Sequence, residues 1–203
     1  MPVFPLPGVW LFPYFVLPLH VFEPRYRQLV EDCLDGPGRF VLGTIRGGHE
    51  QDAPGRPPIH ELAGLGEIGR HERLSDGRFN ILLVGVQRVF VREVASERLY
   101  RQVEIRPAEE VPIARRREPE LRAALERALG RNGKSARVPG ELGTGHLADM
   151  LLLRLGLAHE LLNELYGELD VEARALRALA EHERRAGSSG ATPADPDARP
   201  PRA

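Results

Sequence analysis

The sequence predicts an α+β chain in which a strand-rich first half curls into a barrel and a helical segment follows. Three observations carry this. From Val3 to about Val111, short apolar runs alternate with polar positions and are cut by Gly- and Pro-rich turns. Glycines recur inside those runs, at Gly43, Gly66, Gly69 and Gly85, where a strand bulges, bends or meets another backbone closely. After Pro112 the apolar period changes to leucines three and four apart, the spacing of a helix face.

The first element to justify is the opening stretch "FPLPGVWLFPYFVLPLHVF", apolar enough for a membrane segment. Pro5, Pro7, Pro13 and Pro18 interrupt it, and each proline inside a helix costs about 3 kcal/mol. A spanning helix is excluded on that sum. The first basic residue, Arg25, follows the apolar run, which is the wrong order for a secretory signal. The stretch is therefore read as two strands, "VFPL" and "FVLPLHVF", with a turn at Pro7-Gly8; Pro18 demands an edge or bulge position.

A helix follows over "EPRYRQLVEDCLDG". Tyr26, Leu29, Val30, Cys33 and Leu34 share one face, Pro24 fits the first turn and Gly36 the end. Next come "RFVLGTI", a loop "RGGHEQDAPGRPP", and the strand pair "LAGLGEIGRHERL" and "RFNILLVGV", joined at Asp76-Gly77, a hairpin dipeptide. "RVFVREV" and "YRQVEIRP" complete the strands. Four helices are expected beyond them: "EPELRAALERALG", "GHLADMLLLRLG", "AHELLNELYGE" and "DVEARALRALAEHERR", the last with Asp170 as N-cap. The expected units are residues 1–112, 113–185 and a tail, 186–203, too poor in apolar residues to order.

Composition narrows the function classes. The formal net charge of −1 lacks the footprint of a general nucleic-acid or membrane-surface binder. One cysteine permits no internal disulfide, as in a reducing, cytoplasmic compartment. Arginine supplies almost all positive charge, Lys134 being the sole lysine, a bias associated with GC-rich bacterial genomes.

No catalytic, cofactor or metal set assembles from the residues. Gly133-Lys134-Ser135 imitates the end of a phosphate-binding loop, but Ala128 stands where its first glycine belongs and a helix precedes it instead of a strand. A Ser/Lys dyad would have to use Lys134, and Cys33 lies on an apolar helix face. The seven histidines have no ligand spacing. Glu109-Glu110 and Glu31-Asp32 read as solvated surface, and Arg115-Arg116-Arg117 as a solvated hinge. What stands out is "PLHVFEPRYRQL", which places charge and aromatic surface where a strand enters a helix. Phe22, Glu23, Arg25 and Tyr26 are the candidate polypeptide-contacting residues, with Glu23 expected in the first helical turn.

Three stretches, "FPLPGVWLFPYFVLPLHVFEPRYRQLVEDCL", "GLGEIGRHERLSDGRFNILLVGVQRVFV" and "HLADMLLLRLGLAHELLNELYGELDVEARALRAL", resemble the Lon substrate-binding family, the N-terminal domain of ATP-dependent Lon proteases. The resemblance covers residues 3 to 183. It implies a PUA-like pseudo-barrel around a helix, then a helical subdomain, in a standalone bacterial member without the ATPase and protease domains. The implied role is non-catalytic recognition of unfolded or extended polypeptide, as an adaptor to a protease or chaperone in protein quality control. The alternative is a PUA-like module for RNA or a small ligand; a hydrolase would need His20, Glu23 and His71 to converge in one deep pocket.

Overall fold

The computed structural model describes residues 1–52, 55–130 and 142–188. The elements run β1 (Pro2–Pro7), β2 (Val16–Val21), α1 (Pro24–Leu34), β3 (Arg39–Ile45), β4 (Leu62–Arg73), β5 (Phe79–Val94), β6 (Arg101–Pro107), α2 (Glu118–Gly130), α3 (Thr144–Leu155), α4 (His159–Tyr166) and α5 (Val171–Ser188). This is the expected α+β order. The six strands form one mixed sheet, β2-β5-β4-β3-β1-β6, and an added β5–β6 pairing curls it into a partly closed barrel. β1 and β3 are parallel, and the remaining neighbours are antiparallel.

The turn and cap chemistry follows the sequence. Gly77 takes φ 80°, the left-handed conformation a tight β4–β5 turn needs, and Leu74 and Arg78 close the loop with a 2.8 Å backbone bond. Asp170 Oδ1 accepts the Ala173 backbone N–H at 3.0 Å, so it caps α5 as expected. α5 reaches Ser188, past the expected start of the tail at 186; the rest of that tail, and Lys134 with Ser135, lie outside the described residues. Glu23 stands one residue before α1, in extended conformation, and not in its first turn.

Because β4 and β5 are long, only part of each closes the barrel. The second half of β5 pairs with β6, while Phe79–Val84 pairs with β2. The hairpin end of β4 and β5, together with β2, therefore projects as a three-stranded wing. β2 is its outer strand, with one side unpaired among the described residues, and Pro18, which has no N–H to donate, is accommodated there.

Three apolar clusters hold the fold. α1 buries Tyr26, Leu29, Val30 and Cys33 against Phe4, Phe40, Leu42, Phe79, Ile81 and Leu83. Val3, Val41, Ala63, Leu65, Val89 and Val103, drawn from every strand of the ring, fill the barrel. The helices α2 to α5 form the third cluster, and Trp10 and Phe12 from the β1–β2 loop insert into it. Leu11, between them, belongs to the α1 cluster. One loop thus joins two cores. It lies so close to the sheet that a Cβ on Gly64 would stand 2.4 Å from Leu11 O, and one on Gly85 2.0 Å from Phe12 O. Register shifts at Leu65/Gly66 and Ile68/Arg70 bend the strands around it.

Candidate functional site

The wing exposes an apolar face. Facing residues of an antiparallel pair share a side of the sheet, so β2, β5 and β4 build rows across it. Val16 faces Val84; Pro18 faces Leu82, which faces Arg70; His20 faces Asn80, which faces Glu72. Val16 is 55% exposed, Leu82 37%, and Phe22, just past the strand, 59%. A groove of about 440 Å³ crosses this wing, lined by Pro18, Leu19, His20, Arg70, His71, Glu72, Asn80, Ile81 and Leu82. It spans all three strands of the wing, from β2 across β5 to β4.

The polar row is bonded within itself. His20 Nδ1 and Asn80 Oδ1 are 2.7 Å apart, Asn80 Nδ2 donates to Glu72 Oε2 at 3.4 Å, and Arg78 Nη1 lies 3.2 Å from His20 Nε2. Asn80 Oδ1 can only accept, so His20 carries its proton on Nδ1 and Nε2 accepts from Arg78.

The four candidates at the β2–α1 corner separate by burial. Phe22 reaches solvent next to the groove and stacks on His20 with ring centres 6.2 Å apart. Glu23 is held by Arg25, with Nη2 at 2.9 Å from Oε2. Arg25 also donates to Gly55 O at 3.0 Å and lies 4.5 Å over the Tyr26 ring. Tyr26 itself is in the core, 4% exposed and stacked on Phe4 at 3.9 Å, and burial pushes its hydroxyl pKa up. Of the four, Phe22 alone presents an apolar surface to a partner. His20 and His71 both line the groove, but Glu23 is not among its lining residues.

Burial accounts for the other groups with chemical potential. Cys33 is enclosed by the α1 cluster, and burial, with Asp32 beside it, pushes the thiol to about 11, so it is no nucleophile at neutral pH. Among the described residues no group of three His, Cys, Asp or Glu side chains could hold a metal ion. No helix among them is long and apolar enough to cross a membrane.

A buried ionic cluster, unforeseen in the sequence, ties the barrel to the helices. Arg88 on β5 donates to Asp149 Oδ1 at 2.8 Å, Glu110 Oε1 at 2.9 Å and the Tyr166 carbonyl at 3.1 Å. Arg174 on α5 reaches the same Glu110 at 2.7 Å and Asp149 at 3.0 Å. Burial works against the Arg88 charge, but Asp149 and Glu110 outweigh it and hold the guanidinium above its ordinary pKa. Glu110 is therefore a linking carboxylate and not free surface. The available signal was Asp149, a lone acid among the buried Leu147, Ala148, Leu151 and Leu152 of α3.

The family model described as the ATP-dependent protease La (LON) substrate-binding domain matches residues 1–181. The chain belongs to this family. Among its relatives, the Lon protease of Syntrophomonas wolfei is 26% identical over 169 residues, covering 77% of this chain and 20% of the relative. The Lon protease of Xanthomonas oryzae is 29% identical over 129 residues, covering 64% and 15%. The chain thus spans about a fifth or less of these Lon proteases. The N-terminal domain of a Mycobacterium avium complex Lon protease superposes with a TM-score of 0.68 at 16% identity, over 90% of this chain and 97% of that one. The Lon N-terminal domain protein of Xanthomonas campestris gives 0.64 at 23%, over 89% and 96%. These superpositions establish a shared LON fold.

Proposed function

We propose that this LON domain recognises extended, apolar segments of unfolded polypeptide on the β2 wing, and that it serves protein quality control by passing them to a protease or chaperone in the cytoplasm. The observation that carries the reading is the open β2 strand next to exposed Val16, Phe22 and Leu82. An unpaired strand offers backbone bonds to any extended chain, and an apolar groove beside it rewards burial of side chains without demanding one sequence. A substrate-binding family description accords with that generality. The chemistry proposed is recognition without catalysis. The division into a barrel unit ending near residue 112 and a helical unit belongs to this proposal too, and limited proteolysis tests it.

Titration of labelled, permanently unfolded model proteins against the purified domain tests the reading. Saturable binding, weakened by Phe22→Ser or Val16→Ser, supports it. Absence of binding at high micromolar concentration, with the fold verified by circular dichroism, rejects it. The RNA alternative is disfavoured by the pairing of surface arginines with carboxylates, as in Arg39–Glu67, Arg73–Glu31 and Arg92–Glu104. RNA binding would reveal itself by a steep loss of affinity with salt.

A further inference from the structure

The next step rests on the polypeptide reading above and concerns what the groove selects. Its polar row, His20–Asn80–Glu72, is satisfied internally and extends through Arg78 to Asp76, 2.6 Å away. Two neighbouring arginines are paired as well: Arg73 with Glu31 at 2.9 Å and Arg39 with Glu67 at 2.7 Å. Arg70 is different. It lies in the groove in the row Pro18–Leu82–Arg70, and among the described residues its side chain has neither hydrogen bond nor ion pair. A guanidinium fork left open beside an apolar floor matches a carboxylate, which it can engage through two parallel bonds.

We propose that Arg70 is a specificity-determining residue, and that the groove prefers extended apolar segments carrying an Asp or Glu side chain placed to meet it. The sheet geometry also fixes how such a segment lies. Neighbouring strands are about 4.8 Å apart, so a strand added beyond β2 would run about 14 Å from β4, outside the reach of Arg70. A client paired along β2 therefore meets Arg70 with the part of its chain that continues over the face of the wing, across Pro18 and Leu82. Selection is then for an apolar residue followed closely by an acid.

The test uses fluorescence anisotropy on the whole chain with three labelled peptides: an extended apolar peptide with a central Asp, its Asn counterpart, and the Asp peptide with an amidated C-terminus. The expected result is about fivefold tighter binding of the Asp peptide than of the Asn peptide at low salt, the scale of one partly exposed charge pair. That ratio should fall to about one in Arg70→Gln, whose site is exposed and whose fold circular dichroism verifies, and amidation should change nothing. Equal binding of the Asp and Asn peptides, or an undiminished preference in Arg70→Gln, overturns the inference while leaving the polypeptide reading in place. A loss on amidation overturns it in favour of a terminal carboxylate. Failure of all three peptides to bind rejects the polypeptide reading itself.

Discussion

Replacing Gly85 with alanine tests whether the β1–β2 loop is the joint between the two cores. The added methyl would stand 2.0 Å from Phe12 O and 2.9 Å from its carbonyl carbon, both backbone atoms, so no side-chain rotation relieves it. Gly85 does not need a left-handed φ, so the effect is steric. Retreat of the loop would break two backbone bonds, Tyr14 N–H to Gly85 O at 2.7 Å and Gly85 N–H to Phe15 O at 2.8 Å. Each is worth about 0.5–1.5 kcal/mol net. Moving Phe12, which is fully buried, adds an overpacking cost of about 1–3 kcal/mol. The alanine restricts the unfolded chain and returns about 0.4–1 kcal/mol. The net loss is about 1–5.5 kcal/mol, a large part of the ~5–15 kcal/mol that holds a domain together. Urea unfolding, followed by the fluorescence of Trp10 and by circular dichroism, measures it. Gly47→Ala, with nothing within 4 Å, is the control and should stay within about 0.5 kcal/mol of the parent. A loss below about 1 kcal/mol for Gly85→Ala would refute the claim that this loop is pinned to the sheet.

Asp149→Ala should cost about 3–5 kcal/mol in the same urea assay, because it leaves Arg88 and Arg174 charged in the interior with Glu110 as their remaining carboxylate; a loss under about 1 kcal/mol would remove the cluster as a clasp. Acid should weaken the fold through His60 and His146. Burial, first among the causes in each, lowers their pKa below 6.5, so the unfolded chain takes up protons as pH falls through 6.5 while the folded chain resists. Stability contributed by these groups is complete above pH 6.5 and lost below it, and the urea midpoint between pH 7.5 and 5 should fall less in His60→Gln/His146→Gln than in the parent; an unchanged slope would contradict this. Phe22→Ser should leave the urea midpoint unmoved, since the ring is 59% exposed, yet weaken unfolded-polypeptide binding by about tenfold; equal binding would take Phe22 out of the surface.

What could be read from the sequence was whatever depends on local spacing. The face of α1, the Asp76-Gly77 turn, the edge position demanded by Pro18 and the cap at Asp170 all rest on residues within a few positions of one another. The loop over Gly64 and Gly85 was legible only in part. Glycine in a strand announces a close approach, but nothing local says that the approaching backbone is Leu11 and Phe12. The clasp was hidden for the same reason, since Arg88, Glu110, Asp149 and Arg174 come from distant segments. Tyr26 shows the limit for the site: its helical period marks it as core, while its charged neighbours suggest a surface corner. The period won, because the ring stacks on Phe4.

The position of the joint bears on how an open strand can be kept ready without unfolding or pairing at random. A free edge is ordinarily a liability, and short length, proline and polar neighbours blunt it. β2 has only six residues, lacks an N–H at Pro18, and ends in the bonded His20–Asn80–Glu72 row. At its other end Tyr14 takes φ 67°, an uncommon conformation for a residue with a Cβ, held by its bond to Gly85. The strand enters the sheet two residues later, at Val16, so the loop that joins the cores also sets where β2 begins. Binding as proposed, to a strand fixed in this way, would order little of the protein, and the affinity for a client would then depend on the client's own loss of freedom. On the proposed reading, stability and recognition are coupled at Gly85 and separable at Phe22: the first substitution disturbs the platform, the second only what the platform presents.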